Sequence, residues 1–74
     1  MPLITQELDA TKLAEARRRA GMSQTELARA VGVTATTVRH YEHERRVTPR
    51  ADVLVRMAET LGTKPSELLK PANA

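Results

Sequence analysis

The chain has 74 residues, contains no cysteine and carries a formal net charge of +3 at neutral pH. This length accommodates one domain, and the absence of cysteine excludes disulfides and thiolate metal sites while being compatible with a reducing cytoplasm. No apolar run approaches the roughly 18 residues of a membrane-spanning helix, and the first residues do not have the pattern of a signal peptide.

The apolar residues, 41% of the chain, are mostly alanine, leucine and valine, with one tyrosine and no phenylalanine or tryptophan. This composition predicts an all-α fold of small packed helices. We expect five helices in a domain of residues 11–70, between an N-terminal arm of residues 1–10 and a flexible tail of residues 71–74.

The N-terminal arm contains Leu3, Ile4 and Leu8, which are more apolar than a free tail requires. Three alternatives remain open for residues 1–8: a disordered start, a segment packed on the domain, or a segment paired with another subunit. The first helix is predicted over residues 11–20, with Asp9 or Thr11 as its cap. Its inward-facing residues are expected to be Leu13, Ala16 and Ala20.

The second helix begins after Ser23, because residues 23–26 form a capping box in which Ser23 and Glu26 satisfy each other's backbone amides. Gly32 ends this helix in a sharp turn, since glycine adopts positive φ at little steric cost. Thr34 caps the third helix, which is expected to end near residues 42–43. The buried residues of the two helices are predicted to be Leu27, Ala28, Val31, Val38 and Tyr41.

The fourth helix is predicted over residues 50–61, where Gly62 ends it. Its expected buried residues are Ala51, Leu54, Met57, Ala58 and Leu61. A short fifth helix follows, with Pro65 in its first turn and Leu68 and Leu69 as apolar anchors.

Positive charge is concentrated in the middle of the chain. Residues 12–50 contain nine Lys or Arg against four Asp or Glu, whereas residues 1–11 have a net charge of −2 and residues 51–74 are neutral. Such an excess suits a surface that binds a polyanion, although a solvated helix face has the same appearance.

Residues 13–69 resemble the helix-turn-helix domain of phage repressors and Cro proteins, also called the xenobiotic-response-element family. The resemblance implies a compact five-helix, lambda-repressor-like domain that binds operator DNA as a regulator, with repression the expected activity. It also places residues 34–42 in the major groove as the recognition helix. The residues that carry the resemblance are Arg17, Ala20-Gly21-Met22-Ser23-Gln24, Leu27-Ala28-x-x-Val31-Gly32-Val33-Thr34, Val38, Glu42, Arg45-Arg46 and Leu61-Gly62.

The resemblance implies three groups of functional residues. An ion pair between Arg17 and Glu42 is expected to join the first helix to the third. The residues expected to contact bases are Gln24, Ala35, Thr36, Arg39 and His40, of which Gln24 and Arg39 could also bind phosphate. The residues expected to contact phosphates are Ser23, Thr34, Thr37, Arg45, Arg46 and Arg50.

The side-chain chemistry agrees with these roles. The methyl groups of Ala35 and Thr36 can contact thymine, and His40 can donate to N7 or O6 of guanine. The chain departs from the family at His43-Glu44, where Asn-Gly is usual. We therefore expect a left-handed residue at His43 or Glu44, or a longer helix, and an acidic Glu44 near phosphates is unusual.

No other class of function has comparable support. Ser23 and Ser66 lack plausible His and carboxylate partners, His40 and His43 lack a third metal ligand, and no cofactor motif is present, so an enzyme, a metal site and a cofactor are not expected. A homodimer, at least on DNA, would use Leu68 and Leu69, residues 1–8, or contacts formed only on the operator. The alternative function is a protein-interaction module, such as an antitoxin or bridging factor, that binds a toxin or the transcription machinery.

Overall fold

The computed structural model describes residues 6–44 and 47–71. The described residues form α1 (Ala10–Arg19), α2 (Gln24–Val31), α3 (Ala35–His43) and α4 (Ala51–Leu61), followed by one 3-10 turn at Pro65–Leu68. The prediction of five helices is therefore wrong, since four are present in this part of the chain. The last turn does not continue because the backbone becomes extended at Leu69, with φ −108° and ψ 153°. None of the described helices is long and apolar enough to cross a membrane.

Side-chain caps fix the starts of the first three helices. The Asp9 carboxylate accepts a hydrogen bond from the amide of Lys12, which settles the choice of cap for α1. At α2 the predicted capping box is present, with the Ser23 hydroxyl and the Glu26 carboxylate each accepting from the other's backbone amide. The Thr34 hydroxyl accepts from the amide three residues later and caps α3. Local sequence thus determines where each of these three helices begins.

The core lies where the helices meet. Ala20 and Ala51 are exposed, so their predicted burial is wrong. Both lie at helix ends, Ala20 immediately after α1 and Ala51 as the first residue of α4. Ala14 is buried on α1, although the sequence did not predict it. The largest fully buried side chains are those of Leu8, Leu13, Leu27, Val38, Met57 and Leu68.

The two ends of the described chain lie side by side. Leu8 forms an isolated antiparallel bridge with Leu69, and the backbone amides of Asp9 and Lys70 donate to the carbonyls of Leu68 and Glu7. Residues 6–8 are thus packed on the domain, while Leu3 and Ile4 lie outside the described residues.

This pairing determines the orientation of the proposed dimer anchors. Leu68 is 1% exposed and Leu69 is 9% exposed. Leu68 belongs to the core cluster and Leu69 is also buried within the domain, which disfavours a dimer formed through these two residues, one of the three routes expected from the sequence.

Candidate functional site

The turn between α2 and α3 is built on Gly32. Its φ of +88° lies in the left-handed region, and the amides of Gly32 and Val33 both donate to the carbonyl of Ala28, at 2.8 and 3.0 Å. Ala28 is also buried, as expected where two helices cross closely. A terminal nitrogen of the Arg56 guanidinium on α4 lies 3.6 Å from the position that a Cβ at Gly32 would occupy. The turn therefore orients α3 with respect to α2 by a backbone conformation that favours glycine.

A hydrogen-bonded network joins three helices at the ends of α2 and α3 that lie away from this turn. Arg17 of α1 makes two bonds to Glu42 of α3, at 2.6 Å from Nε and 3.1 Å from Nη2. The Nε2 atom of Gln24, at the start of α2, donates to Glu42 Oε1 at 3.0 Å. Arg17 also donates to the carbonyl of Met22 at 2.8 Å. These contacts fix the C-terminal end of α3 against both α1 and α2.

The network stabilises the charged forms of its members. Burial raises the pKa of Glu42, but hydrogen bonds from Arg17 and Gln24, together with the charges of Arg17 and Arg18, lower this pKa below its usual value. The hydrogen bond to Glu42 raises the pKa of the Arg17 guanidinium, against a lowering by burial. The carboxylate and the guanidinium therefore remain an ion pair at neutral pH.

Sequence reasoning missed the structural contact of Gln24. The resemblance assigned this residue to bases and phosphates, whereas its amide nitrogen here binds a carboxylate 18 positions away. No local spacing in the sequence relates residues 24 and 42, so this contact becomes visible only in the fold. Its predicted role in binding DNA stays a prediction.

The outer face of α3 carries the side chains that the sequence assigned to bases. Thr36, Arg39 and His40 are exposed, whereas Ala35 is half-buried and packs against the core. The hydroxyl groups of Thr34 and Thr37 lie 2.9 Å apart at the start of the helix. One side of α3 therefore packs against the core, and the other exposes polar side chains to solvent.

The C-terminal end of α3 differs from both alternatives expected from the sequence. The helix ends at His43, and Glu44 follows with φ −80° and ψ 144°. No residue other than glycine has positive φ in the described chain. An extended Glu44 therefore ends the helix without a left-handed residue, and its carboxylate oxygen lies 3.4 Å from Nδ1 of His40.

The remaining predicted contacts are distributed around α2 and α4. Ser23 is exposed, and accepting a hydrogen bond from Glu26 does not consume its hydroxyl proton. Arg50, also exposed, immediately precedes α4, with its Nε 3.4 Å from the carboxylate of Asp52. Arg45 and Arg46 lie outside the described residues. No group of three or more His, Asp or Glu side chains within residues 6–44 and 47–71 could hold a metal ion.

The fold has clear relatives among solved structures. The P22 c2 repressor, solved with a synthetic operator, has a TM-score of 0.77 and 23% identity, covering 86% of this chain and 96% of that chain. The hypothetical transcription factor NHTF from Neisseria has a TM-score of 0.72 and 34% identity, covering 84% and 70%. HppE, solved with cobalt and substrate, has a TM-score of 0.76 and 31% identity over 86% of this chain, but only 35% of HppE is covered.

Comparison of the amino-acid sequence with known protein families identifies one family. No curated protein matches the chain. Residues 13–68 match a family model described as helix-turn-helix, and this range includes most of α1, the whole of α2, α3 and α4, and the Arg17–Glu42 pair. The chain belongs to the helix-turn-helix family of the Cro and phage-repressor type.

Proposed function

We propose that this protein binds double-stranded DNA sequence-specifically and acts as a small transcriptional regulator, with residues 34–42 in the major groove. The observation that carries the proposal is the division of α3 into two faces. Glu42 fixes the helix through Arg17 and Gln24, while Thr36 and His40 are exposed on it. A helix that reads base edges needs both a rigid mount and exposed polar side chains.

Each group of predicted contact residues has a distinct task in this proposal. Thr36, Arg39 and His40 contact base edges, and the methyl group of Ala35 approaches thymine. Gln24 remains a candidate for a base or phosphate contact through the part of its amide that Glu42 does not occupy. Contacts to phosphate position the domain, and they come from Ser23, Thr34, Thr37, Arg45, Arg46 and Arg50.

The proposed mechanism is operator occupancy by a two-fold dimer in the cytoplasm. Two recognition helices would enter successive major grooves about one helical turn apart, and a bound protein would repress by covering the operator. The P22 c2 repressor was solved with an operator, and NHTF is described as a transcription factor. Because Leu68 and Leu69 are buried, the dimer would form through residues of the arm or through contacts made on DNA.

The alternative of a protein-interaction module drew its support from the apolar N-terminal arm. Leu8, one of the three apolar residues concerned, is only 1% exposed and belongs to the core of its own domain. Leu3 and Ile4 lie outside the described residues. Regulation through DNA binding is therefore the function that we favour, and catalysis forms no part of the proposal.

A salt titration of duplex binding tests the proposal. We expect binding to fall steeply with salt, with a log–log slope of about −0.9 for each phosphate neutralised. Arg50→Ala is expected to make this slope shallower by about 0.9 and to weaken all sequences equally. Lys64→Ala, which removes the same charge at an exposed position before the 3-10 turn, serves as the control. No measurable duplex binding at about 50 mM salt would contradict the proposed function.

A further inference from the structure

The end of α3 contains a contact between two side chains, His40 and Glu44, that the proposed function has not used. Nδ1 of His40 lies 3.4 Å from the carboxylate of Glu44, and both side chains are more than half exposed. The backbone holds the two residues in register, since the amide of Glu44 donates to the carbonyl of His40 at 2.9 Å. One ring nitrogen of His40 therefore has a carboxylate beside it, and the other, Nε2, lies across the ring.

We propose that Glu44 is a positioning residue that makes His40 a hydrogen-bond acceptor towards DNA, an inference that rests on the proposed function. A neutral imidazole carries one N–H group and one acceptor nitrogen. The negative charge beside Nδ1 stabilises the proton on that atom, because a carboxylate attracts an N–H dipole and repels a lone pair. The lone pair is then on Nε2, which is available to a base.

This assignment changes the base that His40 can read. In the major groove, adenine N6 and cytosine N4 present amino donors, whereas N7 and O6 of guanine present only acceptors. An acceptor at Nε2 pairs with the amino groups and not with guanine. The interpretation from sequence, in which His40 donates to guanine, is thus reversed by the presence of Glu44.

The same pairing gives the acidic residue a role near DNA. A carboxylate beside phosphates opposes binding through like-charge repulsion. Glu44 occupies a position where the resembling family has a small neutral residue, and here its charge lies beside the imidazole of His40. We infer that Glu44 acts on the recognition side chain and not on the DNA backbone.

The test has two stages, both at about pH 8, where imidazole side chains are ordinarily neutral. Binding sites are first selected from a random duplex pool with the wild-type protein and with His40→Ala, and the base pair whose preference is lost is the one that His40 reads. Duplexes are then made with analogues at that pair that lack either the adenine or cytosine amino group, or N7 of the purine in the pair. Affinities are measured for the wild-type protein, Glu44→Gln and Glu59→Gln.

We expect loss of the amino group to weaken wild-type binding by about tenfold, the effect of one hydrogen bond, and loss of N7 to have no effect. Glu44→Gln is expected to reduce the amino-group effect and to gain sensitivity to N7. Glu59→Gln, which removes the same charge at an exposed position on α4, is expected to behave as the wild-type protein does. A folding defect lowers affinity for every duplex, so it cannot produce this exchange.

Three results would overturn the inference: sensitivity of the wild-type protein to N7, identical profiles for the wild-type protein and Glu44→Gln, or no lost preference in His40→Ala. These results leave the proposed function intact, because each requires duplex binding. Failure of the wild-type protein and all of its variants to bind duplex would instead overturn the proposed function, and this inference with it.

Discussion

The two faces of α3 differ in what constrains their residues. The side chain of Glu42 is 4% exposed and accepts hydrogen bonds from Arg17 and Gln24, so replacing it leaves partly buried partners unpaired. Thr36 and His40 are exposed on the same helix, and Glu44, which lies beside His40, is exposed as well. One face therefore determines where the helix lies, and under the proposed function the other determines which bases it contacts. We expect stability and base specificity to be separable.

The largest expected effect comes from breaking the buried network. Glu42→Ala leaves the Arg17 guanidinium, 12% exposed, without its carboxylate partner. Removing one member of a buried ion pair costs about 3 kcal/mol in free energy of unfolding. Urea denaturation measures this loss, with Glu59→Ala at an exposed position on α4 as the control, which is expected to change stability by less than about 0.5 kcal/mol. Similar losses for the two variants would show that the network does not stabilise the domain.

Substitution on the exposed face is expected to produce the opposite result. Thr36→Ala removes a hydroxyl and a methyl group from the recognition helix and is expected to reduce discrimination at one base pair by about 2 kcal/mol. Its free energy of unfolding is expected to stay within about 0.5 kcal/mol of the wild-type value, because Thr36 is exposed. Competition binding with operator variants measures the first quantity, and urea denaturation the second. Destabilisation comparable to that of Glu42→Ala would show that the two faces are not separable.

The turn between the helices offers a test of backbone geometry. Gly32→Ala places a Cβ on a residue with φ +88°, and the nearest Arg56 atom, at 3.6 Å, permits ordinary contact. The cost therefore comes from the left-handed conformation, about 1 kcal/mol. Gly32→Asn is expected to lose less stability, since asparagine tolerates this conformation better than alanine. Thermal unfolding of the wild-type protein and the two variants measures these losses. Equal destabilisation by Gly32→Asn and Gly32→Ala would show that the cost does not come from the left-handed conformation.

Sequence and structure agree where the determinants are local. Ser23, Gly32 and Thr34 occupy the cap and turn positions that the sequence predicted, because each acts on backbone within a few residues of itself. The sequence could not reveal contacts between distant segments. Glu7 and Lys70, which are 63 positions apart, form an ion pair that the periodicity of apolar residues in the sequence does not predict.

The same limit explains two larger differences, one at the C-terminal end of the chain and one in the candidate site. The spacing of Leu68 and Leu69 was compatible with a fifth helix, but pairing with Leu8 requires extended backbone at Leu69. For the candidate site, the resemblance located α3 and its exposed residues, yet the amide contact of Gln24 depends on how three helices meet. The bases read by Thr36 and His40 depend on the DNA partner and stay predictions.

The smallest expected effect concerns pH and isolates the charge of Glu42. Because the pKa of Glu42 is lower in the folded protein, the unfolded chain binds more protons between the two pKa values. The stabilisation is present above the unfolded pKa and is lost as pH falls through the folded pKa. Glu42→Gln is expected to be less stable at neutral pH and to show a shallower loss between about pH 6 and pH 3 than the wild-type protein.

Comparing the wild-type protein with Glu42→Gln isolates the contribution of the Glu42 carboxylate to stability, because all other acidic groups are present in both proteins. The pKa values of Glu26 and Glu67 are also lowered, chiefly by hydrogen bonds with Ser23 and Thr63, and they give the same background slope in each protein. Identical pH profiles of unfolding would show that the ionised form of Glu42 does not contribute to stability. If the profiles differ while operator preference stays constant over the range where both proteins are folded, the charge of Glu42 positions α3 without taking part in reading DNA.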